Sequence, residues 1–503
     1  FRFLNNNNNN NLTISNNNNI NNFSDWPRSH GNNYSNRFSK LKIINNTNAS
    51  NLKVAWIFEM KNHKGDIQAN PIIVNGIIYT PMAGGYIVAI NGKTGKLIWK
   101  SKKFSPSVAR RGLVFWEGTE KDKARIIFSN RERLISLNIE DGTPIDDFGK
   151  KGQVRTGLNV TTPVIYKNNI IIVSWDRAVE VYDLLTGKTK WKLKYKKDIN
   201  KRVGGVKFNN AGANSWGGIS ADIKRGILYF TTGNPHHYLD GTQRPGNNQY
   251  SNSVIAVDLE KRIIKWSFQE TSHDIWNSDI PSPPILSSVN FENKDIDVVL
   301  APTKRSNTLI LDRVTGKPIF DFRYRKAPTS KIKGEKTSAY QPFLELPEPF
   351  GRNELFYEDL WSYDSKKLEK IKKQYNNHKI GFYSTYEIDK KNLQYNFNGG
   401  AEWMGASVNH LTGIMYVTSN NIPWETSLVQ IDDKTSNIPS YSSDFQRAQD
   451  DKGFPITKPP WGTISALDLN TGKIKWQVPF GEYDELSKIG VDITGTENFG
   501  GVT

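Results

Sequence analysis

The 503-residue chain contains no cysteine. That absence excludes disulfides, thiolate metal centres, cysteine nucleophiles and covalent c-type haem attachment. Methionine is scarce too, 4 residues against 39 glycines and 14 tryptophans, a balance that favours many short strands and turns over helical bundles. No run of 18 apolar residues occurs, so the sequence predicts no membrane-spanning helix. Acidic residues fall short of basic ones, 50 against 67, leaving a net charge of +17. The excess is spread along the chain, with no basic stripe interleaved with aromatics, and no nucleic-acid partner is expected.

What is present is length and repetition. The opening stretch, FRFLNNNNNNNLTISNNNNINN, is too polar and too simple to bury apolar area, so residues 1–24 are expected to be disordered. Beyond it a phrase recurs: an apolar strand, a short gap, a second strand ending in Asp or Asn, then T-G-K-x-x-W. It reads IIYTPMAGGYIVAINGKTGKLIW up to Trp99 and IIIVSWDRAVEVYDLLTGKTKW up to Trp191. It returns as NSVIAVDLEKRIIKW up to Trp266 and TISALDLNTGKIKW up to Trp476, with weaker copies at 126–145 and 298–320. A further copy is assigned weakly around GIMYVTSNNIPW, 413–424.

Each copy makes physical sense as a β-hairpin with a return strand. The TGK turn lets Gly adopt positive φ, the alternating Val, Ile and Ala turn one face inward, and the Trp is a flat filler between neighbouring sheets. Four-stranded units at a spacing of ~40–50 residues predict an all-β, β-propeller fold over 25–503, in which radial repetition hides the sheet edges. LFYEDLWSYDSKKLEKIKKQY, 355–375, has helical periodicity and is expected to be a helical excursion with a solvated lysine face. The chain stops at GTENFGGVT, partway into what reads as another repeat, so the closing blade is expected to be missing.

The repeats and loops resemble the quinoprotein dehydrogenases, eight-bladed propellers that bind pyrroloquinoline quinone (PQQ) with a divalent cation. The tail A-x-D-x-x-T-G-K-x-x-W is similar to that family's blade signature, and DWPRSHGNNYSNRFSKLKIINNTNASNLKVAWIF, 25–58, is similar to its N-terminal opening. ARRGLVFW, NSWGGISAD, TTGNP with RPGNNQY, SHDIWNSD, APTKRSNTLILDR and GGAEWMGASV follow in the family's order. YQPFLELPEPF and GGAEWMGA resemble the glucose-dehydrogenase-like branch, and TGNP with RPGNN the alcohol dehydrogenases.

The resemblance implies roles for particular residues. PQQ is a planar, tricarboxylated o-quinone, so its site needs a flat apolar floor, cations or hydroxyls for carboxylates, and oxygen ligands for a hard cation. Trp216 matches the floor, with Trp403 lining the same cavity. Arg111 matches the carboxylate-binding arginine, its neighbour Arg110 facing the other way if the segment is a strand. Thr161, Thr162 and Ser174 stand where the family places hydroxyls, and either threonine could serve. Lys304 matches the cation that bonds the quinone oxygens and stabilises charge as hydride arrives. Asn234 matches an amide ligand of the cation (Ca²⁺ or Mg²⁺). The family's carboxylate ligand would follow residues 170–175, but the loop is shortened and Asp176 is the only acid at hand.

TSHDIWNSDIPSPP departs from the pattern. Where the family carries its catalytic aspartate this chain has Asn277, which can ligate a cation but cannot accept a proton at neutral pH. Asp279, two residues on and on the same face of an extended segment, is expected to act as base, directly or through a water. Asp274 reads as structural and His273 as a cap or core-edge residue. The resemblance therefore implies a PQQ-dependent dehydrogenase of an alcohol, aldose or polyol. Its electrons pass to a separate acceptor, a cytochrome or quinone, in the periplasm, where some members are membrane-associated. The alternative is a non-catalytic propeller that serves as a binding or assembly scaffold, a reading that Asn277 and the shortened loop favour.

Overall fold

The computed structural model describes residues 25–60, 66–105, 108–195, 202–203, 206–207, 212–431 and 440–503; the Asn-rich stretch 1–24 lies outside them. Two compact units divide the chain. The first comprises residues 1–33, 37–172 and 180–191, the second 34–36, 173–179 and 192–503.

The first unit is built from antiparallel four-stranded sheets in simple up-and-down order. One runs Ile72–Val74, Ile77–Met82, Tyr86–Asn91 and Leu97–Lys100. The next runs Leu113–Trp116, Arg125–Ser129, Arg131–Asn138 and Gln153–Asn159. Period-2 alternation gives each sheet two apolar faces, and the sheets stack on them: Ile72, Tyr79, Ile87 and Ala89 pack with Leu113, Ile126, Phe128 and Ile135. A third sheet, Val164–Tyr166, Asn169–Ser174, Ala178–Asp183 and Thr189–Lys194, lies only partly in this unit, residues 173–179 and 192–194 being counted with the second.

In the second unit Ile219–Asp222, Ile227–Thr231, Ser253–Asp258 and Ile263–Gln269 form another such sheet, followed by the three strands Ile285–Phe291, Lys294–Pro302 and Thr308–Asp312. The last sheet joins Ala406–Asn409, Ile414–Asn420, Gly462–Asp468 and Lys473–Pro479. This corrects one expectation. GIMYVTSNNIPW is not a separate repeat: its strand Ile414–Asn420 pairs directly with Gly462–Asp468, so it belongs to the sheet that ends at Trp476. The intervening 421–461 is an insertion, whose strands Trp424–Ile431 and Ser440–Arg447 pair with each other, the first also pairing with Asn392–Gln394 from before the sheet. Helical structure is confined to short pieces, the longest being Ser365–Tyr375, whose N-cap Asp364 accepts from the Lys366 and Lys367 amides.

The recurring phrase acquires a mechanical meaning. Its Ala lies directly across from its Trp in three sheets, Ala89 opposite Trp99, Ala256 opposite Trp266 and Ala466 opposite Trp476, with a register shift beside the Ala each time. The Asp or Asn that closes the third strand then caps the turn: Asn91 Oδ1 accepts from the Lys93 and Thr94 amides, and Asp312 Oδ1 from those of Val314 and Thr315. At Gly95, Gly142 and Gly316 the turn glycine is the seat for a preceding tryptophan, whereas Gly187 meets Val154 and Phe148 and Gly472 meets Phe320. A Cβ on Gly95 would lie 2.5 Å from Trp56, one on Gly142 2.5 Å from Trp99, and one on Gly316 2.5 Å from Trp266. Each indole also donates Nε1–H to a carbonyl of that turn, at Gly92 (3.0 Å), Ile139 (2.9 Å) and Arg313 (3.3 Å).

These seats predict a graded cost. Gly142→Ala meets both a left-handed φ of 72° and the Trp99 ring, and should lose about 2–5 kcal/mol. Gly76→Ala has a similar φ of 74° but open space around it, and should lose only about 1–2 kcal/mol. Urea unfolding of the two variants checks the order; equal losses would discount the indole seat.

Candidate functional site

In the second unit, loops leaving successive sheets bring together residues far apart in sequence. Asp279 and Lys304 form a buried ion pair, Nζ to Oδ2 at 2.8 Å. The other carboxylate oxygen, Oδ1, accepts from the backbone N–H of Asn234 at 2.5 Å. Such close approach is possible because residue 233 is glycine: a Cβ there would stand 2.3 Å from Asp279 Oδ1 and 2.9 Å from Trp216 Nε1. Gly217, beside Trp216, is equally confined, its Cβ position falling 1.8 Å from the Pro281 carbonyl oxygen.

Lys304 Nζ also donates to Phe397 O at 3.3 Å and lies 5.7 Å from the centroid of the Trp216 ring. Burial alone would push its ammonium toward neutrality, but Asp279, Glu402 and Asp274 outweigh that and raise its pKa, so the cation persists at neutral pH. Asn277 is buried with φ 62° and donates its Nδ2–H to the same Phe397 carbonyl at 2.9 Å. Trp216 and Trp403 face the site as a tilted pair, centroids 6.5 Å apart, and Trp403 stacks on Phe499 at 4.8 Å with planes 3° apart.

The flanking loop is held by groups with structural bonds. Asp274 accepts from the amides of Trp276 and Ser278, each at 2.8 Å, and from Asn252 Nδ2 at 2.9 Å. Burial raises its pKa. His273 bonds the Gly246 carbonyl through Nδ1 (2.8 Å) and the buried Glu335 carboxylate through Nε2 (2.5 Å). Ser174 is buried and its Oγ has no hydrogen-bond partner, as is also true of Asn234 Nδ2. Asp176, by contrast, is exposed on the turn between two strands.

In the first unit, Arg111 is buried and donates NH1 to Gln68 Oε1 at 2.6 Å. Arg110, which is exposed, reaches the same oxygen through Nε at 2.9 Å. The two threonines now differ: Thr162 commits its hydroxyl to the Arg111 carbonyl (2.6 Å), whereas Thr161 Oγ1 is buried without a partner. Nearby, Arg28, Arg37 and Arg111, added to the cost of burial, hold His30 neutral, well below its usual pKa.

Several of these residues carried no signal in the sequence. Gln68 and Phe397 lie outside the quoted motifs, Glu402 and Phe499 lie inside quoted stretches with nothing to set them apart, and only the fold brings Phe397 to the Lys304 ammonium. Glu270 was also missed. It is buried, and that burial, opposed in part by bonds from Asn307 and Thr303 and by Arg305, pushes its pKa up to about 7.

The architecture is a series of antiparallel four-stranded sheets whose loops hold a buried Asp–Lys pair beside the Trp216 indole. The model of the PQQ glucose/ethanol/alcohol dehydrogenase β-propeller domain matches residues 26–503, and the chain belongs to that family. It is similar to the quinoprotein glucose dehydrogenase A of Acinetobacter calcoaceticus, 25% identical over 91% of this chain and 66% of that protein. It is 26% identical to the glycerol dehydrogenase large subunit of Gluconobacter thailandicus, over 91% of this chain and 72% of that one. The chain thus spans about two thirds of the length of these relatives. Among solved structures, the quinohemoprotein alcohol dehydrogenase of Comamonas testosteroni shares the fold with a TM-score of 0.62 at 20% identity, covering 90% of this chain and 67% of that one.

Two outcomes follow from the site's electrostatics. Asp279→Ala strands a buried ammonium and should cost about 3–5 kcal/mol in urea unfolding, more than Asp279→Asn, which keeps an acceptor. Glu270 has its pKa raised from 4.5 to about 7 on folding, so its contribution to stability is fully present below pH 4.5 and is lost as pH rises through 7. Glu270→Gln should therefore gain about 2–4 kcal/mol on the wild type between pH 5 and pH 8, measured as the change in their unfolding difference.

Proposed function

We propose that the chain is the catalytic propeller of a PQQ-dependent dehydrogenase acting on the CH–OH group of an alcohol, aldose or polyol. The observation that carries this reading is the buried Lys304–Asp279 pair set under Trp216. The residues fit a flat, polyanionic quinone: Trp216 offers an apolar face beside the Lys304 ammonium, and Ser174 Oγ and Asn234 Nδ2 are buried donors in want of an acceptor. When bound, PQQ supplies the electrophilic carbonyl that takes a hydride from the carbinol carbon.

The chain's own groups do the rest. Asp279 is the proton acceptor: its carboxylate takes the substrate hydroxyl proton as the carbon is oxidised to a carbonyl. Lys304, kept cationic, holds that carboxylate in place and presents positive charge where negative charge develops. Asn277 contributes a donor to Phe397 O rather than a base. The burial of this cluster keeps water from competing for these bonds.

A divalent cation, Ca²⁺ or Mg²⁺, belongs to the same resemblance, but the residues do not fit one as arranged. Asp176 is exposed, and no three His, Asp or Glu side chains gather among the described residues. No step above runs through such an ion. A small-molecule alcohol or sugar substrate, a separate cytochrome or quinone acceptor and a periplasmic location complete the proposal. Among the described residues no helix is long and apolar enough to cross a membrane.

Asn277 and the exposed Asp176 favour a second reading, a propeller that binds partners without turnover. Reconstitution of the chain with PQQ, followed by dye-linked oxidation of alcohols and sugars, separates the two. We expect micromolar PQQ binding, turnover, and an Asp279→Asn variant that binds PQQ but oxidises at least about 100-fold more slowly. Failure to bind PQQ overturns the enzyme reading, and unchanged turnover in Asp279→Asn overturns the assignment of the base.

A further inference from the structure

Glu270 follows directly on the strand Ile263–Gln269 and is 1% exposed. Its Oε1 accepts from Thr303 Oγ1 at 3.0 Å and from Asn307 Nδ2 at 2.7 Å. Those two residues are the feet of the turn that carries Lys304: the Thr303 amide donates to Asn307 O and the Ser306 amide to Thr303 O, both at 3.0 Å. One carboxylate oxygen therefore ties both ends of the turn together, immediately next to the residue whose ammonium reaches Asp279. The second oxygen, Oε2, is buried and makes no hydrogen bond. The charged and titratable groups facing it are Arg305 from the turn itself, Asp274 from the following loop, and Tyr383, whose hydroxyl is 3.2 Å from Thr271 Oγ1. Arg305 is drawn the other way, its guanidinium 3.7 Å from the centroid of the Tyr383 ring.

We propose that Glu270 is a positioning residue, clamping the Thr303–Asn307 turn so that the Lys304 ammonium stands against Asp279 in the cofactor site. The inference rests on the PQQ reading given above. Loss of the carboxyl would leave Thr303 Oγ1 and Asn307 Nδ2 buried with no acceptor, whereas glutamine keeps an oxygen in the same place. Glutamine differs from glutamate in one further respect: it never ionises. Thr303, which Glu270 holds, is the residue next to Lys304, so a buried negative charge at Glu270 opposes a tricarboxylate ligand at Lys304 through a poorly screening interior, while a neutral side chain does not.

The test uses the full chain as wild type, Glu270→Ala and Glu270→Gln, with two readouts. The first needs no cofactor: acylation of Lys304 by an N-hydroxysuccinimide ester, quantified by peptide mass mapping. Lys304 should be protected in the wild type and in Glu270→Gln and labelled about fivefold faster or more in Glu270→Ala, the equivalent of one lost hydrogen bond. If Glu270→Ala does not fold, Thr303→Val with Asn307→Ala removes the same two bonds from the other side and should expose Lys304 equally. The second readout is PQQ affinity between pH 6 and pH 8, followed by tryptophan fluorescence. It should weaken severalfold in the wild type as pH rises and change by less than about twofold in Glu270→Gln. Equal labelling of Lys304 in every variant, or the same pH dependence of affinity in wild type and Glu270→Gln, overturns the proposal. Absence of PQQ binding throughout overturns the dehydrogenase reading instead and leaves the labelling to decide Glu270.

Discussion

The interaction on which the rest of the structure depends is the seating of a tryptophan on a glycine one repeat further along. An isolated four-stranded sheet has two apolar faces and no means of covering either. Trp56, Trp99 and Trp266 solve this by lying flat on Gly95, Gly142 and Gly316, with Nε1–H bonded to the same turn. The contact is directional and admits no side chain at the glycine. The opposite ends of the strands are joined differently, by buried polar contacts such as Thr162 to the Arg111 carbonyl and Lys304 to Asp279.

The loops at those ends carry the chemistry, as the second unit shows. Position 277 has become a donor: its amide N–H shares the Phe397 carbonyl with Lys304, a bond that an aspartate could not make. The negative charge sits two residues later, at Asp279, where it meets Lys304 and the Asn234 amide. The loop thus holds its donor at 277 and its charge at 279, and the ammonium has a carboxylate partner. The pair is insulated on one side by a layer that includes Trp276, Tyr383, Phe397 and Trp424, drawn from the insertions between sheets. Burial of that layer leaves the ion pair dry enough to matter.

The repeats were legible because one short phrase carries three physical demands at once. In several copies its Ala faces its Trp, its Asp or Asn caps the turn, and its Gly receives a neighbouring ring, an indole at Gly95, Gly142 and Gly316; each demand restricts residue type, so the pattern survives in the sequence. The copy read into 413–424 failed for the converse reason. An apolar strand ending near a Trp satisfies the pattern locally, but strand pairing with Gly462–Asp468 across a forty-residue insertion has no local signature. The site divides in the same way. Lys304, Asp279, Trp216 and Asn234 were visible because loop motifs hold them, whereas Phe397 contributes only a backbone carbonyl and Phe499 only a ring face, roles that many residues could fill. Asp176 was chosen for being the nearest acid in sequence, and exposure on a turn is what nearness in sequence could not foresee.

The forward reach of Trp56, Trp99 and Trp266 sets where those parts of the chain can be cut. A sheet is not the modular unit, because its own Trp belongs mechanically to the next one. Excising the second sheet at its loops would leave Trp99 without its glycine and remove the seat that the sequence of the first sheet presupposes. A segment running from one turn glycine to the next keeps every wedge with its socket. Insertion, duplication or exchange of parts is therefore in phase with the turns and out of phase with the sheets.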